Sequence, residues 1–585
     1  MDKVWVNKPA VDGETVNRLR DALKINEALA RLLVQRDITT YEQARDFFRP
    51  SLDKLHDPFL MKDMDKAVER IGKAIDAGER IMIYGDYDVD GTTAVALVYT
   101  FLKTVYTNLG FYIPDRYSEG YGISYKAIDQ ARETGVSLII ALDCGIKAVE
   151  KIKYAQTHGV DFIIADHHRP GDELPPAVAV LDPKRSDCNY PFEELSGCGV
   201  GFKLIQAYSQ YKGWPFENLY KYLDLVVVSI AADIVQISGE NRILAHFGLK
   251  LINTNPRPGF EALLEISGIK KSYPTPERSF SKELTISDLV FVLGPRINAA
   301  GRIESGNNSV ELLVSESIEQ ARLMAEQINN CNTERRSLDS NTTQQALEMI
   351  TEDPVQSKKY TTVLYFPEWH KGVIGIVASR LTETYYKPTI VFCKSNGLVT
   401  GSARSIKDFD IYDAIDACSD LLEHFGGHTY AAGLSLKPEN LQVFTERLEE
   451  YAREKFKGIY PIPEIEIDQQ INLSDITPSF FNILKQFAPF GPGNMSPVFV
   501  TERVMDTGFS RIVGKNHIKL SVVHPHISGY PVSGIAFQLG KYISDIKKGV
   551  PFNVCYHIEE NEWNGRINLQ LNVKDIKFEP LNLKP

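Results

Sequence analysis

The segment that decides the fold of the first half of the chain is IMIYGDYDVDG, at residues 81–91. It joins a short apolar run to a glycine and to three alternating aspartates, Asp86, Asp88 and Asp90. Similar apolar runs follow at intervals that helical stretches fill, namely FYIP (111–114), LIIAL (138–142), DFIIA (161–165) and AVAVL (177–181). Alternating strands and helices of this kind predict a parallel α/β sheet.

Polar residues come directly after these predicted strands. Beyond the three aspartates they are Arg116 after the second strand, Asp143 after the third, and Asp166, His167 and His168 after the fourth. Ligands of open α/β sheets bind beyond the carboxyl ends of the strands, so these residues are expected to meet along one edge. Mixed carboxylates and imidazoles suit Mn²⁺ or Mg²⁺, and this many candidate ligands favours two ions that share a bridging carboxylate.

Each of these residues also has an ordinary structural explanation. An acidic turn or a calcium loop explains DYDVDG equally well by itself, although Leu97 stands where an EF-hand loop requires glutamate. Asp143 suits a helix N-cap, and adjacent histidines are common in loops. The coincidence of acids and histidines at the ends of several strands of one sheet favours a metal centre.

The remaining patterns predict helices at residues 1–60, a buried helix at 222–235, a long connector helix at 317–352 and a second α/β stretch at 361–458. The buried helix carries Asp224 and Asp233 inside an apolar run, which demands a polar role or partner. Helical spacing with a weak apolar face predicts that the connector helix bridges through solvent. Further on, RINLQLNV (566–573) alternates apolar and polar residues, which predicts a small β-barrel.

Composition narrows the possible classes. A chain of 585 residues, at about 150 residues per domain, should fold into several domains. The longest apolar run is too short to cross a bilayer, so a cytoplasmic protein is expected. Seven cysteines without a CxxC pair argue against a disulfide framework and against a tetrahedral zinc site. A net charge of −11 weighs against nucleic acid, but residues 501–585 hold eleven Lys and Arg against eight Asp and Glu.

Glycine and arginine motifs supply candidates for phosphate binding. HFGGH (424–428) presents backbone amides and an imidazole that a phosphate could approach, although a helix C-cap is the alternative. Arginine's planar fork suits phosphate oxygens, although isolated arginines are more often surface charge. Aromatic and lysine residues alternate in the C-terminal barrel, among them Tyr530, Phe537 and Lys519. They predict either barrel core or a platform on which the bases of a single strand stack.

Eight motifs in order carry a resemblance to a known family. They are DYDVDG (86–91), LDCG (142–145), ADHH (165–168), AADI (231–234), PRINAAGR (295–302), GSARS (401–405), HFGGH (424–428) and PFGPGN (489–494). Together they resemble the motifs of the DHH phosphoesterases, in particular the single-strand-specific 5′-to-3′ DNA exonucleases among them. The resemblance extends over about residues 30–580.

The resemblance implies an α/β multidomain protein. Its parts would be an N-terminal helical extension (1–60), a parallel-sheet DHH phosphoesterase domain (61–316), the connector helix (317–352), a second α/β domain of the DHH-associated type (353–460) and an OB-type β-barrel that binds nucleic acid (461–585).

The resemblance also assigns roles to residues. The implied metal ligands are Asp88, Asp90, Asp143, His167 and Asp233, with Asp143 bridging, and the implied catalytic residues are Asp86 and His168. The residues implied to bind substrate phosphate are Arg116, Arg296, Ser402, Arg404, Gly426, Gly427 and His428. One departure is Tyr84, which stands where many members of the wider family have a histidine ligand, so the role of Asp86 stays open.

The implied function is hydrolysis of single-stranded DNA from its 5′ end in repair and recombination, by a two-metal mechanism with Mn²⁺ or Mg²⁺. Single-stranded DNA, a helicase and a single-strand-binding protein are the expected partners of a cytoplasmic monomer with no membrane association. One alternative is a DHH phosphodiesterase for short oligonucleotides or cyclic dinucleotides, which would not need the terminal barrel. The other is a non-catalytic single-strand-binding scaffold, which would be expected to have lost the acidic and histidine ligands.

Overall fold

The structure is a computed structural model that describes residues 3–272, 275, 278–526, 530–563 and 566–578. The chain divides into two compact units. The first comprises Pro58–Asp233 and Lys250–Pro463, and the second comprises the described parts of Asp2–Asp57, Ile234–Leu249 and Glu464–Pro585. All seven cysteines are free thiols. Within the described ranges, no helix has both the length and the apolar character that crossing a membrane requires.

The N-terminal part of the chain is mainly helical, as its pattern predicted. Its elements are β1 (Val4–Asn7), α1 (Gly13–Leu23), α2 (Glu27–Val34) and α3 (Tyr41–Phe48). Thr40 and Gln43 exchange hydrogen bonds in a capping box, which explains why α3 begins where it does. Leu29 and Leu33 of α2 share a hydrophobic core with Phe487 and other residues of the C-terminal part. The N-terminal helices therefore belong to the core of the second unit.

The first unit contains the parallel sheet that the sequence predicted. Its strands are β2 (Arg80–Gly85), β3 (Leu109–Tyr112), β4 (Val136–Leu142), β5 (Asp161–Ala165) and β6 (Ala179–Leu181). They lie in the order β3-β2-β4-β5-β6, and every pairing is parallel. Ile83, Ile140 and Ile163 are completely buried, as expected for parallel strands covered on both faces. The polar residues after these strands consequently share one edge of the sheet.

Helices surround this sheet and extend the first unit. They are α4 (Met64–Asp76), α5 (Val89–Lys103), α6 (Tyr125–Glu133), α7 (Val149–Thr157), α8 (Gly197–Tyr211), α9 (Leu223–Ala232), the end of α10 (Gly239–Thr254), α11 (Pro258–Ile266), α12 (Ile286–Asp288), α13 (Gly294–Ile303) and α14 (Gly306–Val314). The two acids of the predicted buried helix, α9, differ in their surroundings. Asp224 is buried and pairs with Arg257 at 2.7 Å, whereas Asp233 follows the last turn and is partly exposed.

The long connector helix is α15 (Ile318–Glu352), which begins after the N-cap Ser317. Its weak apolar face does not bridge through solvent as predicted. Small residues such as Ala321 and Ala325 are buried, and the helix packs against α11 and α13. Small side chains allow helices to approach closely, so a face with little apolar area can still be an interface.

The second α/β stretch forms a mixed sheet in the first unit. Its elements are β7 (Thr362–Tyr365), α16 (Ile374–Tyr385), β8 (Thr389–Ser395), β9 (Leu398–Arg404), α17 (Ile411–Asp416), β10 (Leu422–His428), β11 (Ala431–Leu436) and α18 (Leu441–Lys455). The order is β10-β11-β9-β8-β7, and only the β7–β8 pairing is parallel. HFGGH lies in strand β10, so the helix C-cap alternative for this motif is wrong.

The C-terminal part of the second unit contains β12 (Glu464–Ile467), β13 (Gln469–Gln470), α19 (Pro478–Lys485), β14 (Phe499–Asp506), β15 (Arg511–Val513), β16 (His517–Val523), β17 (Val532–Ala536), α20 (Ile543–Ile546), β18 (Phe552–Trp563) and β19 (Arg566–Lys577). Strand β14 pairs with both β18 and β16, so β14-β18-β19-β17-β16 closes on itself. Ile518, Leu520 and Val522 of β16 point into the barrel and are buried. The predicted small β-barrel is confirmed.

Candidate active site

Asp90 is held by the start of a neighbouring helix. The backbone amides of Gly197 and Cys198 each donate to its carboxylate at 2.7 Å, and the Ser229 hydroxyl donates at 2.6 Å. Both amides belong to the first turn of α8, where the helix dipole favours negative charge. This buried carboxylate is therefore fixed by three donors at the edge of the parallel sheet.

Asp143 approaches the same helix so closely that only glycine fits opposite it. A Cβ atom at Gly197 would lie 2.5 Å from the Asp143 Cβ and 2.6 Å from its Oδ1. Asp143 itself has φ 57°, a left-handed conformation that is uncommon for a residue other than glycine. Its amide donates to the carbonyl oxygen of Ala165 at 2.9 Å. The neighbouring strand and helix together impose this backbone conformation.

His167 lies among three carboxylates. Its Nε2 is 3.2 Å from Asp143 Oδ1, 3.5 Å from Asp233 Oδ2 and 3.7 Å from Asp90 Oδ2. Nevertheless His167 Nε2 and Asp143 Oδ1 are buried and have no hydrogen-bond partner in the described part of the chain. Burial lowers the pKa of His167 to about 4. The imidazole is therefore neutral and can offer a lone pair to a cation.

The acids around His167 carry more negative charge than this buried edge can hold by itself. Burial raises the pKa of Asp143 well above its usual value, and the charges of Asp90 and Asp88 raise it further. Burial and the same two neighbours also raise the pKa of Asp233. The pKa of Asp86 is raised as well, by burial and by the charge of Asp88. A cation at this edge would stabilise all of these carboxylates in their ionised form.

The donor set fits hard divalent cations. Among the described residues, two groups bring their ligand atoms within 4.8 Å of one another, Asp143 with His167 and His168, and Asp90 with His167 and Asp233. Carboxylate oxygens and imidazole nitrogens are ligands that suit Mn²⁺, and Mg²⁺ favours the carboxylates. The buried atoms of Asp143 and His167 that lack partners are the atoms that a bound cation would satisfy.

Three of the residues discussed from the sequence lie outside these two groups. Asp88 caps α5 by accepting a hydrogen bond from the Gly91 amide at 3.0 Å. Asp86 is buried beside it, and its Oδ1 has no hydrogen-bond partner in the described ranges. Tyr84 is buried and donates to the carbonyl oxygen of Gly122 at 2.8 Å. Its side chain is therefore engaged in the fold and supplies no ligand.

His168 differs from its neighbour because of Asp166. Its Nδ1 lies 2.7 Å from Asp166 Oδ1, and Asp166 also accepts hydrogen bonds from the amides of His167 and Ile146 at 2.8 and 3.0 Å. Burial lowers the pKa of His168, but the hydrogen bond to Asp166 and the charges of Asp166, Asp233 and Asp90 together outweigh burial, and the pKa rises to about 9. His168 therefore keeps its proton at neutral pH, whereas His167 does not.

Asp166 is a residue to which the motif analysis assigned no role. Burial raises its pKa, but the hydrogen bond from His168, the charges of both histidines and the hydrogen bond from the Ile146 amide together outweigh burial, and the pKa falls to about 2. Its permanent charge fixes both histidines of the loop. The position directly before the histidine pair was the available signal, but it does not distinguish a ligand from a residue that orients one.

Arg302 is central to a group of half-buried arginines in the first unit. Burial and the charges of Arg116, Arg335 and Arg404 lower the pKa of Arg302 to about 9. Its guanidinium donates to the carbonyl oxygen of Gly372 at 2.8 Å. In the described part of the chain, Arg116, Arg302 and Arg404 form no ion pair with a carboxylate. Half-buried guanidinium groups without a carboxylate partner favour an anion.

Arg404 and Ser402 lie at this site on strand β9. Arg404 donates to the hydroxyl oxygens of Ser402 and Ser379, each at 3.1 Å. A Cβ atom at Gly375 would lie 2.8 Å from Ser402 Oγ and 3.0 Å from an Arg404 nitrogen, so this glycine of α16 leaves room for both side chains. Sequence reasoning identified Ser402 and Arg404 through GSARS. It gave no role to Arg302 or Arg335, because a lone arginine in a helical motif has no distinctive spacing.

The other predicted phosphate ligands occupy separate positions around the acids and arginines. Arg116 stacks on Tyr87, with its guanidinium carbon 4.0 Å from the ring centroid. Arg296 donates to the carbonyl oxygen of Val292 at 2.7 Å. The ring of His428 stacks 6.2 Å from that of His168. The structure therefore places His428 beside the acids and Arg116 within reach of both groups, since the charge of Arg116 lowers the pKa of Asp86.

The remaining two predicted ligands are the glycines of β10. A Cβ atom at Gly427, whose φ is 152°, would lie 2.4 Å from the carbonyl oxygen of Ala431. Gly426 has open space in the corresponding direction. Gly427 is thus required by the close pairing of β10 with β11, whereas Gly426, which pairs with Gly433, has room for a side chain.

The second unit carries a groove of about 1530 Å³ between α19 and the barrel. Exposed rings of Tyr530 and Phe537 line it together with Arg511 and Lys519. Tyr530 is 94% exposed and Phe537 53% exposed, while Phe552 and Tyr556 are buried in the barrel core. The side chain of Trp563, another candidate aromatic, lies outside the described residues.

Comparison with known proteins agrees with this arrangement. Residues 80–230 match the DHH family, N-terminal domain, residues 358–454 match the DHHA1 domain, and residues 467–575 match the RecJ OB domain. The chain is 37% identical over 567 residues to the single-stranded-DNA-specific exonuclease RecJ of Bacillus subtilis, which covers 96% of this chain and 70% of that protein. It is 34% identical over 537 residues to RecJ of Salmonella typhimurium, covering 88% and 90%.

A solved structure leads to the same family. The crystal structure of RecJ from Thermus thermophilus in complex with Mn²⁺ matches with a TM-score of 0.82 at 25% identity, covering all of this chain and 80% of that one. The predicted fold, with its parallel sheet, long helix, second α/β domain and OB-type barrel, is confirmed. From its sequence and its structure alike, the chain belongs to the RecJ family of single-stranded-DNA-specific exonucleases within the DHH phosphoesterases.

Proposed function

We propose that this chain hydrolyses single-stranded DNA from its 5′ end with the help of two divalent cations, in DNA repair and recombination in the cytoplasm. One observation carries the proposal. A buried excess of negative charge around His167 and a half-buried excess of positive charge around Arg302 lie in the same compact unit. Cations neutralise the first, and the phosphates of a nucleic acid neutralise the second.

Asp90, Asp143, His167 and Asp233 would hold the cations. His167 belongs to both of the candidate groups of ligand atoms, and Asp143 Oδ1 lies 3.2 Å from its Nε2. Asp88 would complete the ligand set that the motifs imply. When bound, such cations draw charge away from phosphate oxygens and make water a stronger nucleophile. The protein's own contribution is orientation. The first turn of α8 holds Asp90, and the close packing against Gly197 allows Asp143 a single position. Manganese in a related structure from Thermus thermophilus supports this choice of cofactor.

His168 would donate the proton that the leaving 3′ oxygen needs. Asp166 keeps the imidazole protonated at neutral pH, since the pKa of His168 is about 9. The Tyr121 hydroxyl lies 3.2 Å from His168 Nε2 and 3.4 Å from the carbonyl oxygen of Asp143. The same hydroxyl lies 3.4 Å from Nδ1, so it contacts both ring nitrogens of His168. The acid thus stays oriented and charged until a proton is transferred.

Polarity follows from the arginine group. A terminal phosphate carries more charge than an internal diester, and forked guanidinium groups bind it through several hydrogen bonds at once. Arg116, Arg296, Ser402 and Arg404 would bind this 5′-phosphate. Gly426, Gly427 and His428 would bind a further phosphate, since the ring of His428 stacks on that of His168 beside the acids. A strand anchored by its 5′ end presents the next phosphodiester bond to the metal ligands.

The test uses single strands labelled at one end and blocked in turn at the 5′ or the 3′ terminus, with a blunt duplex of the same sequence, in Mn²⁺. We expect digestion only of strands with a free 5′-phosphate and little digestion of the duplex. Chelation of the metal should stop the reaction. Digestion from the 3′ end, or equal digestion of the duplex, would contradict the proposed substrate while leaving metal-dependent hydrolysis intact.

The groove of the second unit would bind longer strands. Bases stack on exposed aromatic rings while basic side chains follow the backbone, and the groove offers both. This feature favours long strands over the short oligonucleotides or cyclic dinucleotides of the alternative. The complete set of acids and histidines disfavours a non-catalytic scaffold. A helicase or a single-strand-binding protein would supply the unpaired strand, and the chain would act as a monomer, since it provides every residue of the site.

A further inference from the structure

The PFGPGN motif (489–494) has no part in the function proposed above. It forms a tight loop in the second unit, in which Gly491 and Asn494 exchange backbone hydrogen bonds of 3.1 and 2.8 Å. The Asn494 side-chain amide donates to the carbonyl oxygens of Phe487 and Pro489, both at 2.8 Å. Asn494 is buried. The loop is consequently held in one conformation by its own residues.

This loop contacts Ile237 through a hydrogen bond and through close packing. The Ile237 amide donates to the carbonyl oxygen of Pro492 at 2.7 Å, and the Ile237 side chain is buried. Gly491 faces it directly, since a Cβ atom there would lie 2.6 Å from Ile237 Cγ1. The φ of Gly491 is not in the left-handed region, so glycine is needed here for space and not for backbone freedom.

A second contact lies five residues further along the chain, at Arg242. Its guanidinium donates to the carbonyl oxygens of Phe487 and Ala488 at 2.8 and 3.0 Å and lies 3.7 Å from the centroid of the Phe47 ring. The segment from Ile237 to Arg242 is therefore held at both ends, by the loop at Ile237 and by the residues just before the loop at Arg242. All of these contacts lie within the second unit.

The segment that the loop grips begins next to a candidate metal ligand. Asp233 is the last residue of its stretch of the first unit, and residues 234–249 belong to the second. Between Asp233 and Ile237 the chain turns at Ile234, which has φ 59° and is 64% exposed. A β-branched residue persists in this left-handed conformation only when its flanks impose it. The flanks here are the end of α9, where the Asp233 amide donates to the Ser229 carbonyl oxygen at 2.9 Å, and the gripped Ile237.

Asp233 needs such support more than the other candidate ligands do. Asp90 receives three hydrogen bonds and Asp143 is wedged against Gly197. The carboxylate of Asp233 is 31% exposed and accepts no hydrogen bond from the described residues. Its position depends on the backbone that follows it.

We propose that the PFGPGN loop positions the metal ligand Asp233 by anchoring Ile237, so that the strained turn at Ile234 directs the Asp233 carboxylate toward His167. Gly491 is then a positioning residue for one metal site. The inference rests on the proposed function, because it takes Asp233 as a ligand.

The experiment measures Mn²⁺ binding to the full chain by calorimetry, in the absence of DNA. Gly491→Ala places a methyl group against Ile237 and should weaken one class of Mn²⁺ site about tenfold or more, leaving the other unchanged. Gly491→Ala combined with Ile237→Ala removes the colliding atoms and should restore the affinity to within about threefold of wild type. Gly13→Ala is the matched control, since a Cβ at this glycine of the second unit meets no atom within 4 Å.

Two further variants separate the possible failures. Asp233→Asn should remove the site that Gly491→Ala weakens, and if it binds Mn²⁺ as wild type does, the ligand assignment of the proposed function is wrong. The Ile234→Gly substitution lies at an exposed position and keeps the core intact. It makes the backbone between Asp233 and Ile237 more flexible, so it should weaken the same site. Unchanged Mn²⁺ affinity in Ile234→Gly or in Gly491→Ala would overturn the positioning role. So would a double variant that regains its melting temperature but not the site.

Discussion

The first unit holds two groups of like charge that behave in opposite ways. Around His167, burial and mutual repulsion raise the pKa of Asp143, so these acids favour a cation. Around Arg302, burial and three other guanidinium groups lower the pKa of Arg302 to about 9, so these bases favour an anion. In each group, like charges in a poorly solvated space repel one another. The comparison teaches that the two groups favour ligands of opposite charge, a metal cation for the acids and, in the proposed function, a phosphate for the arginines.

The largest effect is expected when the acidic group loses its central member. Asp143→Ala should lower the hydrolysis rate by about 10³-fold or more, since a bridging carboxylate serves both cations. Binding of single-stranded DNA, followed by fluorescence anisotropy, should stay close to wild type because the arginines and the groove are intact. Asp161→Asn is the control, an aspartate at the opposite end of strand β5 that pairs with Arg70. Near-normal cleavage by Asp143→Ala would remove the basis for the two-metal mechanism.

A smaller effect is expected when the acidic group is displaced and not removed. Gly197→Ala would push a Cβ atom to 2.5 Å from the Asp143 Cβ, and a displacement of that order should lower the rate about a hundredfold. Gly201→Ala, one turn further along α8, meets its nearest atom at 3.5 Å and should cleave normally. The two variants are compared in kcat and in melting temperature. Equal kcat values for both would show that the position of Asp143 is not critical.

Substitution among the arginines around Arg302 is expected to reduce the preference for a 5′-phosphate. Arg404→Ala should reduce the preference for a 5′-phosphate over a 5′-hydroxyl by about tenfold to a hundredfold, since hydrogen bonds from a charged donor are lost. Cleavage of strands with a 5′-hydroxyl should change much less. Arg447→Ala provides the control, because Arg447 forms an exposed ion pair with Asp420 in the same unit. An equal loss of rate on both substrates would show that Arg404 contributes to hydrolysis at the acidic group and not to binding of the 5′-phosphate.

The smallest effect is expected in the groove of the second unit. Tyr530→Ala and Phe537→Ala should each weaken binding of long single strands about tenfold through loss of stacking, and spare cleavage of very short ones. Phe509→Ala is the matched control, a barrel phenylalanine that is 75% exposed but does not line the groove. Point variants are preferable to deleting the barrel, because the N-terminal helices share its core. Unchanged affinity in both groove variants would exclude this surface as the platform.

Much of the site could be predicted because it depends on strand ends. The residues that follow β2, β4 and β5 were expected to meet, since parallel strands end at one edge, and the structure brings Asp90, Asp143 and His167 together there. The assignment of individual roles was less accessible. Asp88 has the same chemistry and spacing as Asp90, yet it caps α5, while the amides of α8 hold Asp90.

The sequence by itself determined the elements, since strands, helices and the alternating barrel strands follow from local periodicity and turn residues. It also determined the candidate ligands, because motif chemistry is local. Only the tertiary structure decided which like charges share a buried space, and hence that His167 is neutral while His168 is protonated by its contact with Asp166. Only the tertiary structure placed Arg302 among other arginines and set Gly491 against Ile237. The physical reason is that burial, repulsion and steric contact depend on distances between residues far apart in the chain, which no local pattern records.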